Sequence, residues 1–432
     1  MFRSYIGLIL CSLALQAQAQ TETIKVVSYN LMYYKTGSAP CNHSRTAAQR
    51  DADLQTIVSY LAPDVMVVNE LGNNPVNPLV MLSDIFNVNG ISHYDRAGSS
   101  NNSSSGLVNM LFYNKEKLVL ASQNSINLDI NQSPLVRVID FYRLYVKDAG
   151  LGSAGVDTVF FTIGVAHLKA GNSSANAAER ARATAAVMDY IDQNVPDDNV
   201  LFAGDLNIYS ANQAAFQNLI NYSGNPAISF NDPENQLGSW NNNSNFAAYH
   251  TQSTHASSSG CFSGGGMDDR FDFILISDAI ENNSDGLDFI DYRAVGQDGS
   301  SCCGGSLSTN NNVSVNTTVA SALYNFSDHL PVELELEATV SGIGLSPIEK
   351  ARRAWTFANP IENQLVINFS GLMAKKPVQV KVLSINGQMI GSWNSEAQAR
   401  LSIDCSAWQN GIYLIQVSDG AEILETRKVI KR

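Results

Sequence analysis

Six times between residues 24 and 338, a short run of apolar, strand-forming residues carries a polar side chain at or beside one end. The runs are Ile24–Tyr29 ahead of Asn30, Val65–Val68 ahead of Asn69 and Glu70, Asn109–Tyr113, Val159–His167, Val200–Asp205, and Phe271–Ile276, which holds Asp272. Apolar runs of this length predict buried strands. Amides, carboxylates and imidazoles at the ends of such strands are expensive to desolvate unless they serve a purpose. The chemistry is therefore predicted to lie at the strand ends: Asn30, Glu70, His167, Asp205, Asn207, Asp272, Asp328 and His329.

Helical signals separate these runs. Arg45 to Leu61 reads as a helix leading into Pro63 and Asp64, and Ser173 or Ser174 caps another in which Ala183, Val187 and Ile191 recur at four-residue spacing. Strands and helices alternate with irregular connections, which predicts a layered α/β sandwich rather than a plain doubly wound sheet. Only 16% of residues are charged while Asn, Ser and Gly are abundant, a balance that suits long polar loops and disfavours an all-helical fold. At 432 residues the chain is long enough for two cores.

Taken singly, each strand-end residue has a bland explanation. Gly204-Asp205-Leu206-Asn207 would cap a turn, Glu70 would be an ordinary strand-end carboxylate, and His167 and His329 would be core histidines with satisfied nitrogens. Their order is more telling. Ser28-Tyr29-Asn30, Pro63-Asp64 through Glu70, Leu111-Phe112-Tyr113, Ala166-His167-Leu168-Lys169-Ala170-Gly171, Gly204-Asp205-Leu206-Asn207, Arg270-Phe271-Asp272-Phe273 and Ser327-Asp328-His329-Leu330-Pro331 follow one another along the chain. This series resembles the motif set of the endonuclease/exonuclease/phosphatase superfamily and covers nearly all of residues 24 to 338.

The resemblance implies a four-layered α/β sandwich, two packed β-sheets flanked by helices, and hydrolysis of phosphoric esters with a divalent metal. Mg²⁺ is the expected ion, with Mn²⁺ or Ca²⁺ as alternatives, because hard oxygen ligands suit them. Carried over residue by residue, Glu70 resembles the main metal carboxylate, with Asn30 beside it and Asp328 supporting metal or water. Asp205 and Asn207 resemble the pair that orients the attacking water and binds the phosphate or a second metal. His329, oriented by Asp272, is expected to accept a proton or hydrogen-bond a phosphate oxygen. His167 is expected to serve as acid or phosphate donor, and Tyr113 to point its phenol at the phosphate. One departure stands out. Secreted deoxyribonuclease-like members pair the second histidine with a glutamate upstream of the Tyr113-type strand, where this chain has Gly106-Leu107-Val108.

Export is legible at the first residues. Arg3, the apolar stretch Ile6–Leu15 and the small residues Ala17 and Ala19 predict a signal peptide over 1–19 with a mature start near Gln20. That stretch is too short to span a bilayer, so no stable membrane insertion is expected. Without Cys11, five cysteines remain, of which Cys41, Cys261, Cys302 and Cys303 lie in loops suited to disulfides whose pairing the sequence leaves open. Cys405 is expected to be a buried small residue. A zinc site is disfavoured by the spacings. The loop from Trp240 to Gly266 is expected to rim the active site, with His250 and His255 exposed to solvent.

After Glu337 the composition changes. Domains are predicted at 20–338 (catalytic), 339–356 (linker) and 357–432, the last alternating like a small β-sandwich. Val378–Val382, the Asn386-Gly387-Gln388 turn, Asn410–Leu414 and the closing Lys428–Lys431 resemble the C-terminal sorting domain of type IX secretion substrates, which implies the type IX machinery as a partner and delivery to the cell surface or medium. A carbohydrate-binding module is disfavoured because no aromatic platform is evident.

Charge narrows the substrate only partly. Residues 1–340 hold 16 Lys/Arg against 33 Asp/Glu, a net −17, while the remainder holds 11 against 7. No broad basic stripe is available for a polyanion, so either the footprint is short or metal ions recruit it. The leading expectation is a secreted, monomeric endonuclease hydrolysing DNA or RNA. The alternatives are a sphingomyelinase-like phospholipid phosphodiesterase, weakened by the absence of an exposed aromatic hairpin, and an inositol or nucleotide phosphatase. A catalytically dead adhesion module is disfavoured because the expected metal and histidine positions are filled.

Overall fold

The computed structural model describes residues 20–37, 40–99, 105–148, 158–340, 355–357, 360–369, 377–395, 400–418 and 423–432. The predicted signal peptide and most of the predicted linker lie outside them. Twelve strands build the larger part: β1 (Gln20–Tyr34), β2 (Val65–Gly72), β3 (Tyr94–Arg96), β4 (Leu107–Asn114), β5 (Leu118–Leu128), β6 (Pro134–Val146), β7 (Phe160–His167), β8 (Val200–Asp205), β9 (Phe230–Asn231), β10 (Asp272–Ser277), β11 (Leu287–Ala294) and β12 (Val332–Val340). They form two six-stranded sheets, ordered β11-β12-β1-β2-β4-β3 and β5-β6-β7-β8-β10-β9. The pairs β1/β2 and β7/β8 are parallel and the other neighbours antiparallel, so both sheets are mixed.

Period-two alternation sorts the side chains of the inner strands. Leu201 and Ala203 of β8 and Ile274 and Ile276 of β10 join the larger core, shared with Val26, Val67 and Leu111 of the first sheet. Val200, Phe202, Phe273 and Leu275 point the other way, into a second core under the helices Ser174–Asn194 and Ala214–Ile220. Burying one such side chain contributes about 1.5–3 kcal/mol. A one-residue slip would exchange the faces and is strongly disfavoured. Helices Ala47–Leu61 and Thr317–Phe326 cover the first sheet through Leu54, Ile57, Leu323 and Phe326. The first begins at a capping box in which Thr46 and Gln49 satisfy each other's backbone N–H groups. The result is the four-layered α/β sandwich that the motif series implies.

Two disulfides close loops here. Cys41 joins Cys261 across 220 residues, and Cys302 joins its neighbour Cys303. The tail is a β-sandwich-like unit: a three-stranded sheet of β13 (Trp355–Phe357), β14 (Gln364–Phe369) and β17 (Arg400–Asp404), and a four-stranded sheet of β15 (Val378–Ser384), β16 (Met389–Ser395), β18 (Gly411–Ser418) and β19 (Ile423–Lys431). Trp355, Val380, Ile415 and the free Cys405 are fully buried in its core.

Candidate active site

Strand register places the polar ends. The parallel β7/β8 pairing sets His167 beside Asp205, and the antiparallel β8/β10 pairing sets Asp272 beside the same Asp205, giving one row of three titratable side chains across the second sheet. Gly204 lets the strands close up, since a Cβ there would stand 1.9 Å from the Ala166 carbonyl oxygen. In the first sheet Asn30 pairs with Asn69, and Glu70 follows with φ 58°, a left-handed conformation that is costly for a residue with a side chain. Ser327 fixes the last piece: its Oγ donates to the Asn30 carbonyl at 2.8 Å and accepts from the His329 N–H at 3.1 Å.

These ends meet across the seam between the sheets. Asn30 Nδ2 donates to Asp205 Oδ2 at 3.0 Å and to Glu70 Oε1 at 3.3 Å, while its Oδ1 accepts from the Met32 N–H at 2.9 Å. Glu70 Oε2 accepts from the Tyr33 N–H at 3.0 Å. Asp205 Oδ1 takes both the backbone N–H and the side-chain Nδ2 of Asn207, at 3.1 and 2.8 Å. His167 Nε2 and His329 Nε2 lie 3.3 and 3.8 Å from Asp205 Oδ2. His329 Nδ1 sits 2.7 Å from Asp272 Oδ2, and Asp272 is fully buried.

The electrostatics separate the two histidines. For His329 burial pushes the pKa down, but Asp272 and Asp205, with the Asp272 hydrogen bond, outweigh it and hold the ring protonated well above 6.5. For His167 burial dominates, with the positive charges of Arg137 and His329 adding to it, so the ring is neutral. Its Nδ1 has no hydrogen-bond partner among the described residues. His167 is thus a neutral donor facing Asp205, and the contact between them is not an ion pair. Gln252 Nε2 lies 3.1 Å from His329 Nε2, a contact that suits a neutral ring. When His329 is doubly protonated, the Gln252 amide must present its oxygen, so the two change together.

Burial is the main cause that holds the two carboxylates up. Burial, then the charges of Asp272 and Glu70, raise Asp205 to about 7 against the relief His329 gives it. Burial and the Asp328 charge raise Glu70. No lysine or arginine forms an ion pair with Glu70 or Asp205 among the described residues. A hard divalent cation fits such a set of anionic oxygens.

Not every expected residue arrives at this centre. Asn30, Glu70, His167, Asp205, Asn207, Asp272 and His329 come together, and Asp328 adjoins them, its Oδ2 accepting from the Ser263 N–H at 3.0 Å. Tyr113 does not. The antiparallel β2/β4 register pairs it with Val65, at the opposite end of β2 from Glu70, and its phenol titrates under burial and Asp95. The strand residue nearer Glu70 is Asn109, which accepts from Asn69 Nδ2 at 2.8 Å and donates to Asp140 Oδ2 at 3.0 Å. His250 is fully buried rather than exposed, both ring nitrogens facing carbonyl oxygens, and His255 is half-buried between Phe262 and Tyr324. Three contributors are not among the expected site residues: Asn69, which accepts from the Asp205 N–H; Gln252; and Arg137, whose Nη1 donates to the Leu168 carbonyl at 3.2 Å while its charge reaches Glu70 and His167. The one local signal was a lone arginine in the apolar run Leu135–Val138.

A stability test follows from these shifts. Asp205 and His329 both have raised pKa values, so each binds its proton more tightly folded than unfolded, and stability is lost as pH rises through the folded value. Between pH 7 and pH 9 the histidines with lowered values, His43, His167, His250 and His255, are largely neutral in both states and contribute little. The melting temperature of chelator-treated protein is expected to fall by about 2–5 °C over that window. Differential scanning calorimetry would count against the shifts if it rose.

Comparison with known proteins comes at two levels. A family model described as Endonuclease/Exonuclease/phosphatase family matches residues 27–329, and one described as Secretion system C-terminal sorting domain matches 356–432. No curated protein matches the chain. Solved structures similar to it include a D. rerio TDP2 humanized by 14 mutations, at 14% identity over 73% of this chain and 98% of that one, with TM-score 0.45. The human Nocturnin catalytic domain is similar at 13% identity over 74% and 97%, with TM-score 0.44. An endonuclease/exonuclease/phosphatase from Bacteroides vulgatus is similar at 14% identity over 73% and 99%, with TM-score 0.45.

Proposed function

The chain belongs to the endonuclease/exonuclease/phosphatase family of phosphoric ester hydrolases, and on that footing we propose that it is an exported, metal-dependent phosphodiesterase acting on nucleic acid. Its tail matches a type IX sorting domain, which indicates delivery to the cell surface or beyond. A cleavable signal peptide over 1–19 completes the proposed route. The observation that carries the catalytic reading is Asp205, a buried carboxylate raised to about 7 between the His329–Asp272 pair and the Asn30–Glu70 pair.

In this reading Asp205 takes a proton from the attacking water, a task suited to a carboxylate poised near neutral pH. Asn207 holds the Asp205 oxygen in place and, with the neutral His167 Nε2–H, offers donors to the phosphate. The His329 imidazolium, fixed by Asp272, donates to a phosphoryl oxygen as charge develops there. Arg137 supplies a positive charge on the same side as His167. Family members generally use divalent metal ions. Glu70 and Asp328 would hold one here, with Asn30 bracing Glu70 or turning its amide oxygen toward the ion, and a bound cation would supply charge neutralisation at the phosphoryl group.

Turnover of bis(p-nitrophenyl) phosphate is expected to cease in excess chelator and return with Mg²⁺ or Mn²⁺. The same ions at about 100 times Kd should raise the melting temperature by about 5–10 °C. Full activity in chelator, or no thermal shift with any of Mg²⁺, Mn²⁺ and Ca²⁺, would remove the metal from the proposal. Plasmid DNA and RNA against sphingomyelin and nucleotide monoesters test the substrate class.

A further inference from the structure

The loop that follows Gln252 and the segment ahead of the first helix line an open cavity of about 400 Å³, and the charge of Asp328 reaches its His255. Its wall holds four serine hydroxyls, from Ser44, Ser257, Ser259 and Ser306, and the rings of His255, Phe262 and Tyr324. No lining residue is an acid, a lysine or an arginine. Burial keeps the His255 ring neutral, although Asp328 pulls the other way. In a stretch, residues 1–340, of net charge −17, this is a neutral, hydroxyl-bearing surface on the loop bonded to Asp328.

The cavity is built before any ligand arrives. His255 lies between Phe262 and Tyr324, with ring centroids 4.1 and 3.9 Å away. The Cys41–Cys261 disulfide ties the two walls together, and Gly260, at φ +60°, leaves room for the Asn42 carbonyl oxygen 2.3 Å from where a Cβ would stand. The Ala256 N–H donates to Ser306 Oγ at 2.9 Å, bringing in the third segment. The same loop is bonded to the catalytic strand: Thr254 Oγ1 donates to the Ser327 carbonyl at 2.9 Å, and the Ser263 N–H to Asp328 Oδ2 at 3.0 Å. The loop that lines the cavity is therefore tied to Ser327 and Asp328.

Its chemistry selects by elimination. A second phosphate would find no cation to meet it. An acyl chain would cover four hydroxyls without returning their hydrogen bonds. A ring bearing several hydroxyls exchanges hydrogen bonds with the serines and lays its C–H surface against the aromatic edges, and the volume falls within the range of small-ligand sites. Resting on the phosphoric-ester reading above, we propose that this cavity receives the uncharged, hydroxylated ring esterified to the phosphate under attack, a ribosyl or a glycosyl group.

Three p-nitrophenyl esters test it: those of uridine 5′-phosphate and of glucose 6-phosphate, and bis(p-nitrophenyl) phosphate, which has no such ring. Ser259→Leu fills one wall and Ser44→Leu the other, both at exposed positions. Each variant is expected to lower kcat/KM for at least one ring-bearing ester about tenfold, through KM, and to change the bis ester by no more than about twofold. The ester that suffers identifies the ring. Equal effects on all three esters, or none, would overturn the proposal. Saturation-transfer NMR of free uridine and free glucose, with chelated protein, reads the cavity without turnover. Ring binding abolished by Ser259→Leu in a protein that hydrolyses none of the esters would leave the cavity standing and sink the phosphoric-ester reading; turnover with neither ring bound nor any variant effect would do the reverse.

Discussion

Replacing His329 with alanine is expected to lower kcat by about 10³–10⁴-fold with little change in KM. The ring is held protonated at the centre, and its Nδ1 is fixed 2.7 Å from Asp272. Truncation removes the donor and strands its partner. Asp272 Oδ1 already lacks a hydrogen-bond partner among the described residues, and without His329 the other oxygen loses its own, in a position with no solvent exposure. An unsatisfied buried group of this kind costs about 1–3 kcal/mol, so the melting temperature should fall with the rate, by about 3–8 °C. Asp272→Asn separates the two effects. It keeps the shape and removes the charge, so it should return much of the melting temperature to the His329→Ala background and none of the rate. A His329→Ala protein within tenfold of the wild-type kcat would place the ring outside the mechanism.

Asp205→Asn should be as damaging to turnover, by about 10³-fold, for a different reason and with a different signature. Among the described residues, each hydrogen-bond partner of the Asp205 carboxylate is a donor: Asn30 Nδ2 on one oxygen, the Asn207 N–H and Nδ2 on the other. An amide at this position relieves the buried charge but turns an NH₂ group toward one of those donors. The two effects oppose each other, and the melting temperature should move little. The pH–rate profile is the discriminating measurement. Wild-type activity rises with pH as Asp205 loses its proton, a limb that bound metal shifts to lower pH, and the variant's residual activity should lack that limb. Retention of the limb would assign the base elsewhere.

How much of this was readable beforehand depends on what each residue's position is made of. The row His167–Asp205–Asp272 needs only that three apolar runs be strands and that their polar ends align, and run length and order carry that much. Tyr113 shows the boundary. Its strand is evident from Leu111-Phe112-Tyr113, but which end of a strand meets the centre is set by pairing direction, and β4 runs antiparallel to β2. That places Asn109 near Glu70 and Tyr113 at the far edge. Gln252 and Asn69 act through contacts with partners 77 and 136 residues away, which no local pattern encodes. His250 sits in a polar stretch that suggests solvent, yet its ring is buried with its nitrogens 2.8 and 2.9 Å from the carbonyl oxygens of Met267 and Trp240, only one of which a neutral ring can donate to. The disulfide pairing depends likewise on loops brought together only by the finished sheets.

The centre straddles two sheets that touch mainly through apolar side chains. Asn30 and Glu70 belong to one, and His167, Asp205 and Asp272 to the other, with a 3.0 Å hydrogen bond between Asn30 and Asp205 bridging the gap. Such a seam works as a vernier. A displacement of one sheet over the other by half an ångström would hardly alter the buried apolar area, and so the stability, but it would misalign donors and acceptors whose tolerances are a few tenths of that scale. Conservative changes in the inter-sheet packing, such as Ile274→Val or Leu201→Met, would then register as lost turnover well before they register as lost fold. In this molecule the rate constant is the finer instrument for reading its core.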